Sequence, residues 1–145
     1  MKQNRTILLF LILSVSLNLR SATRTVCASG CDHTTIVAAI SAASSGDIID
    51  IQDNTHTEQN IEIDKNLTIQ GQGQTTTTVQ AHAVQANAVD GVFKILTVGL
   101  TVTFQDMTIQ NGNALSSSGS TLDLGGAVYI SCNSSTDVTF TNVTI

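Results

Sequence analysis

The chain has 145 residues, enough for one domain, with 41% hydrophobic and 3% aromatic residues, no proline or tryptophan, and a formal net charge of −5. An acidic balance disfavours nucleic acid and anionic membrane surfaces as partners, because both are held by dense positive charge. So few aromatic side chains exclude a core built on large rings and point to thin layers of Val, Ile, Leu and Thr.

Residues 1–22 have the pattern of a secretory signal. Lys2 and Arg5 precede the apolar run Ile7–Leu13, which is broken by Ser14 and Ser16. The run is shorter than the about 20 apolar residues of a membrane helix, so no integral span is expected in the mature chain. Without this segment, Arg24, Lys65 and Lys94 face eleven acidic residues. The expected location is secreted or at the cell surface.

Residues 23–46 read as an N-terminal cap. Cys27 and Cys31 open it, and a helix is predicted over 34–45, with Ile36, Val37, Ile40 and Ala43 on one face. Asp32 or Thr34 can cap its start and Gly46 its end. His33 beside the two cysteines would also suit a zinc cluster, but a secreted context favours a disulfide between Cys27 and Cys31.

Residues 47–145 read as stacked coils. Strands are predicted at 46–51, 61–69, 79–84, 92–96 and 127–130, with a Ser- and Gly-rich loop over 111–126. The phrase Val102-Thr103-Phe104-Gln105-Asp106-Met107-Thr108-Ile109 returns as Val138-Thr139-Phe140-Thr141-Asn142-Val143-Thr144-Ile145. A period between about 20 and 50 residues is the mark of a solenoid. Within each copy, two alternating segments flank Asp106 or Asn142, residue types that tolerate the left-handed backbone of a sharp corner. Asn66, between Ile61–Ile63 and Leu67–Ile69, is expected to be a third such corner. The second copy stops inside a strand, so the solenoid looks truncated, with further coils or a partner chain expected to cover that end.

The helix 35–43, the strand Gly46–Ile51, the block Ile63-Asp64-Lys65-Asn66-Leu67-Thr68-Ile69-Gln70-Gly71 and later Gly125-Gly126-Ala127-Val128-Tyr129 together resemble the N-terminal part of pectin-lyase-like proteins, nearest in style to surface proteins with polymorphic-outer-membrane-protein-type repeats. The resemblance implies an all-β fold, a right-handed parallel β-helix solenoid with an N-terminal capping α-helix. Asn54–Glu58 departs from the Gly-Thr-Tyr-like turn usual there. Some members cleave acidic polysaccharides with calcium and a basic residue; others are non-catalytic surface proteins.

Catalytic chemistry is not evident in the residues. Asp47, Asp50, Asp53, Glu62 and Asp64 form no convergent oxygen cage and are expected on a solvated outer face. His33, His56 and His82 lack metal-ligand spacing, so no metal or cofactor is expected. Asn66, Asn133 and Asn142 head N-glycosylation sequons. Cys132 lies too far along the stack to reach the cap, so its partner is expected elsewhere unless it is a buried thiol. These features favour a non-catalytic adhesion, scaffold or carbohydrate-binding protein, with carbohydrate or a surface protein as partner. The alternative is the N-terminal portion of a pectate-lyase-like polysaccharide lyase or glycoside hydrolase whose active site lies beyond residue 145.

Overall fold

The structure, a computed structural model, describes residues 20–113, 122–123, 126–131 and 135–145. Most of the predicted signal segment, Cys132 and Asn133 lie outside these residues. Strand β1 (Thr23–Val26) and helix α1 (Ile36–Ala42) precede the first coil, which holds β2 (Ile48–Ile51), β3 (Thr55–Thr57) and β4 (Ile61–Glu62). The second coil holds β5 (Leu67–Gln70), β6 (Thr78–Gln80) and β7 (Phe93–Ile95), with a 3-10 turn at Gln85–Asn87. The third has β8 (Thr101–Gln110), β9 (Leu122–Asp123) and β10 (Val128–Ile130), and β11 (Asp137–Thr144) starts the next.

Strands stack in parallel from coil to coil. One sheet runs β1-β2-β5-β8, with β11 on the far side of β8, while β6 pairs with the second half of β8 and β3 with β6; the other sheet runs β4-β7-β10-β9. The β9–β10 pair is the antiparallel one among the described strands. This is the expected right-handed parallel β-helix with an N-terminal helix.

Alternation of apolar and polar residues decides which side chains enter the coil. Ile49, Ile69, Phe104 and Phe140 are successive partners in one inward row. Ile61, Phe93 and Val128 form the facing row of the other sheet. The core is less purely aliphatic than composition suggested. Phe93 and Phe104 meet at 5.0 Å, and Phe104 stacks on Phe140 at 5.3 Å with planes 9° apart.

The repeated phrase is in register, Val102 on Val138 and Phe104 on Phe140. Asp106 and Asn142 sit at φ 56° and 53°, bending β8 and β11 between their two halves. Asn66 lies at a different corner. Leu67 pairs with Val102, not with Met107, so Asn66 stands at the turn from one sheet to the other and its Oδ1 accepts the Thr101 N–H. The residue stacked on Asp106 is Gly71, where a Cβ would run into the Asp106 carbonyl oxygen. The segment 71–77 loops out there and rejoins the stack at β6.

Helix α1 is shorter than predicted. Thr35 is its N-cap, accepting the Ala38 N–H, while the Asp32 carboxylate is taken by the N–H and hydroxyl of Thr25. Ala43 ends it in extended backbone, and Gly46 serves the following turn at φ 92°. Ile36, Ala39 and Ile40 are buried, whereas Val37 is exposed. No helix among the described residues is long and apolar enough to cross a membrane.

Candidate functional site

Two outer faces carry the polar side chains. On the first sheet, Thr25, Asp50, Gln70, Gln105 and Thr141 are successive register partners. Asp50 organises this row. Its Oδ1 accepts from the amides of Gln70 and Gln72, both at 2.9 Å, and its Oδ2 accepts from Gln52 at 2.9 Å. The Gln105 amide donates to Gln70 Oε1 at 3.1 Å, extending the chain of amides by one coil. A parallel row links Gln110 to Gln80 and Gln80 to Thr57 Oγ1. On the second sheet, Glu62, Lys94 and Tyr129 are stacked in register, and Lys94 Nζ lies 3.4 Å from Glu62 Oε2.

The acidic residues are therefore not all on a solvated face. Asp50 is buried beneath its amide donors. Asp47 is also buried, accepting the N–H groups of Ala22 and Ser44 at 2.9 Å and facing Arg24 at 3.7 Å. Hydrogen bonds from the Ser44 and then the Ala22 amide hold its carboxyl below the usual aspartate value, against the opposing effect of burial. Asp50 looks solvent-facing in a lone strand because Gln70 and Gln72 come from the next coil, whereas Asp47 is covered both by the nearby Ser44 and by Ala22 and Arg24 from the segment before the helix.

His56 occupies an inward position, in one row with Val79 and Ile109. Its Nδ1 lies 3.0 Å from Asp53 Oδ2 and its Nε2 3.1 Å from Glu58 Oε2. Glu58 also accepts the N–H groups of Ile36 and Val37 at the start of α1. The bond to Glu58 raises the His56 pKa; burial opposes this and Asp53 adds to it. Burial pushes Glu58 up, but the His56 ring and the two helix amides outweigh it and leave its pKa lowered. Within the segment Asn54–Glu58, Glu58 holds the start of the helix and His56 holds Glu58.

Cys27 and Cys31 are bridged, with Cα atoms 5.5 Å apart. Asn142 Nδ2 donates to Asp106 Oδ1 at 2.8 Å, joining the two corners. His33 and His82 are apart from these clusters: His33 pairs through its backbone with Thr25 and Cys27, and His82 Nδ1 accepts the Val84 N–H. Among the described residues no group of His, Cys, Asp and Glu is arranged to hold a metal ion.

No family model matches the chain, and no curated protein matches it. Among solved structures, a mutant pectin methylesterase in complex with a hexasaccharide is similar, with a TM-score of 0.58 and 21% identity. The match covers 86% of this chain and 43% of that one, so the chain spans less than half the length of that enzyme. The likeness shows the fold, a parallel β-helix. The same finding corrects the expectation of a non-catalytic adhesion or scaffold protein, since this coil architecture is shared with an enzyme.

Proposed function

We propose that the chain forms the first coils of a β-helix enzyme that acts on a polysaccharide, as a lyase or a hydrolase, with the reacting groups outside the residues described. The observation that carries this reading is the coil architecture shared with pectin methylesterase over 86% of the chain. Fold does not by itself assign chemistry, so the reading also needs surfaces suited to the ligand. Over the buried Asp50 and Gln80, the side chains of Gln70 and Gln105 in one row and of Thr57 and Gln110 in the other present amide and hydroxyl groups on strands stacked about 4.8 Å apart. Such groups match the mixed donor and acceptor character of sugar hydroxyls. Glu62, Lys94 and Tyr129 add charge and a ring on the other sheet.

A secreted or cell-surface location belongs to the same proposal. It is supported by the signal-like pattern of residues 1–22 and by the Cys27–Cys31 bridge, which persists in oxidising compartments. Kinship with polymorphic-outer-membrane-protein-type repeats is a narrower proposal, resting on the block from Thr35 to Gly71.

The test is affinity electrophoresis of the full chain through gels containing methyl-esterified pectin, polygalacturonate or no polysaccharide. Retardation by either polymer is the expected result. Unchanged mobility in both gels would overturn the reading.

A further inference from the structure

We propose that the N-terminal cap is docked through an imidazolium: His56, protonated on both ring nitrogens, clamps α1 and the disulfide loop onto the first coil, and loss of one proton loosens both.

The geometry requires two donors. Both ring nitrogens of His56 face carboxylate oxygens, Asp53 Oδ2 at 3.0 Å and Glu58 Oε2 at 3.1 Å. A neutral imidazole has one N–H and one lone pair, so one of the two carboxylates would face a lone pair instead of a hydrogen. His56 is 7% exposed, which leaves water little room to replace the missing bond. Each carboxylate also holds a piece of the cap. Asp53 Oδ1 accepts the N–H of Ala28, inside the loop closed by Cys27 and Cys31, at 3.1 Å. Glu58 Oε2 and Oε1 accept the N–H groups of Ile36 and Val37 at 2.7 and 3.1 Å. One side chain therefore orients both anchors.

The surroundings leave the charge question to these three residues. Strand β6 presents Val79 to the His56 row, and β8 presents Ile109. Helix α1 has no ionisable side chain, and the loop's Asp32 is engaged with Thr25. Among the described residues, Asp53 and Glu58 are the titratable groups that contact the ring.

The test uses the full chain and two NMR measurements between pH 5.5 and 8. The first is the ring titration of His33, His56 and His82. The second is amide exchange in α1, read at Ala39 and Ile40 and divided by intrinsic rates, with Ile69 and Phe104 as coil references. His56 is expected to titrate above the ordinary histidine value. As it loses its proton, α1 protection should drop roughly tenfold, the scale of one charge-assisted bond, while the coil references hold. In His56→Gln, α1 protection should be low and independent of pH. A His56 titration at or below the ordinary histidine value, flat α1 protection across the range, or an undiminished pH response in His56→Gln would each overturn the proposal. The wild-type measurements decide it even if the variant does not fold.

Discussion

The Lys65 ammonium lies 2.9 Å from the carbonyl oxygen of Ile40, in the last turn of α1. Glu58 holds the opposite end through the Ile36 and Val37 amides. A helix of 7 residues is too short to persist in water by itself. Here the first coil supplies a negative group to its N-terminus and a positive group to its C-terminus, matching the helix dipole at both ends.

Removing either clamp should therefore destabilise the cap unequally. Glu58→Gln removes the charge beneath two helix amides and a buried imidazole, with an expected loss of about 1–3 kcal/mol. Lys65→Met keeps the aliphatic stem and should cost about 0.3–1 kcal/mol. Urea denaturation of both variants measures the difference. A loss from Lys65→Met as large as that from Glu58→Gln would contradict this ordering.

Phe104 is fully buried between Phe93 and Phe140, bridging the two sheets and linking three successive coils. Phe104→Ala should cost about 3–5 kcal/mol, because transfer free energy and a residual cavity add. Phe104→Leu should recover much of it. Thermal or denaturant unfolding followed by far-UV circular dichroism checks both.

Asp106 bends β8 at φ 56°, a conformation that an ordinary side chain adopts at a cost. Asp106→Ala is expected to be less stable than Asp106→Gly by about 1 kcal/mol, since glycine accepts the left-handed region freely. Both variants lose the bond from Asn142, so the comparison isolates the backbone. Equal stability of the two would show that the corner is not strained.

Stability should have two pH limbs. Asp47 and Glu58 have lowered pKa values in the fold, so their contributions are present above the ordinary carboxylate values of 3.8 and 4.5 and fade as pH falls through the folded values. His56 has a raised pKa, so its contribution is complete below the ordinary 6.5 and fades as pH rises through the folded value. The maximum is expected between these limits. Unfolding free energy measured from pH 3 to 8 should show the basic limb flattened in His56→Gln and the acidic limb reduced in Asp47→Asn.

Much of the architecture is legible in the chain because a coil repeats the same local demand. The phrase at Val102 and its copy at Val138 announce a 36-residue period, and the structure stacks them residue on residue. The Asp and Asn in the phrase mark the left-handed corner because few other side chains tolerate it. The helix with its apolar face, and two cysteines close enough to bridge, mark the cap. Asn66 is not the equivalent of Asp106, because the outlooped segment 71–77 displaces the second half of the pattern, and alternation names a face without naming the partner above it.

The sequence by itself determined the solenoid, the Asp106 and Asn142 corners and the helix at its start, since these follow from periodicity and backbone preference over short stretches. Only the tertiary structure decided what the polar residues do. Asp50 meets Gln70 and Gln72 from the next coil, and Glu58 reaches back 22 residues to Ile36. His56 is turned into the core between two carboxylates. Such contacts join residues that are close across stacked coils and distant along the chain. A polar side chain reads as solvent-facing until the coil that covers it is in place.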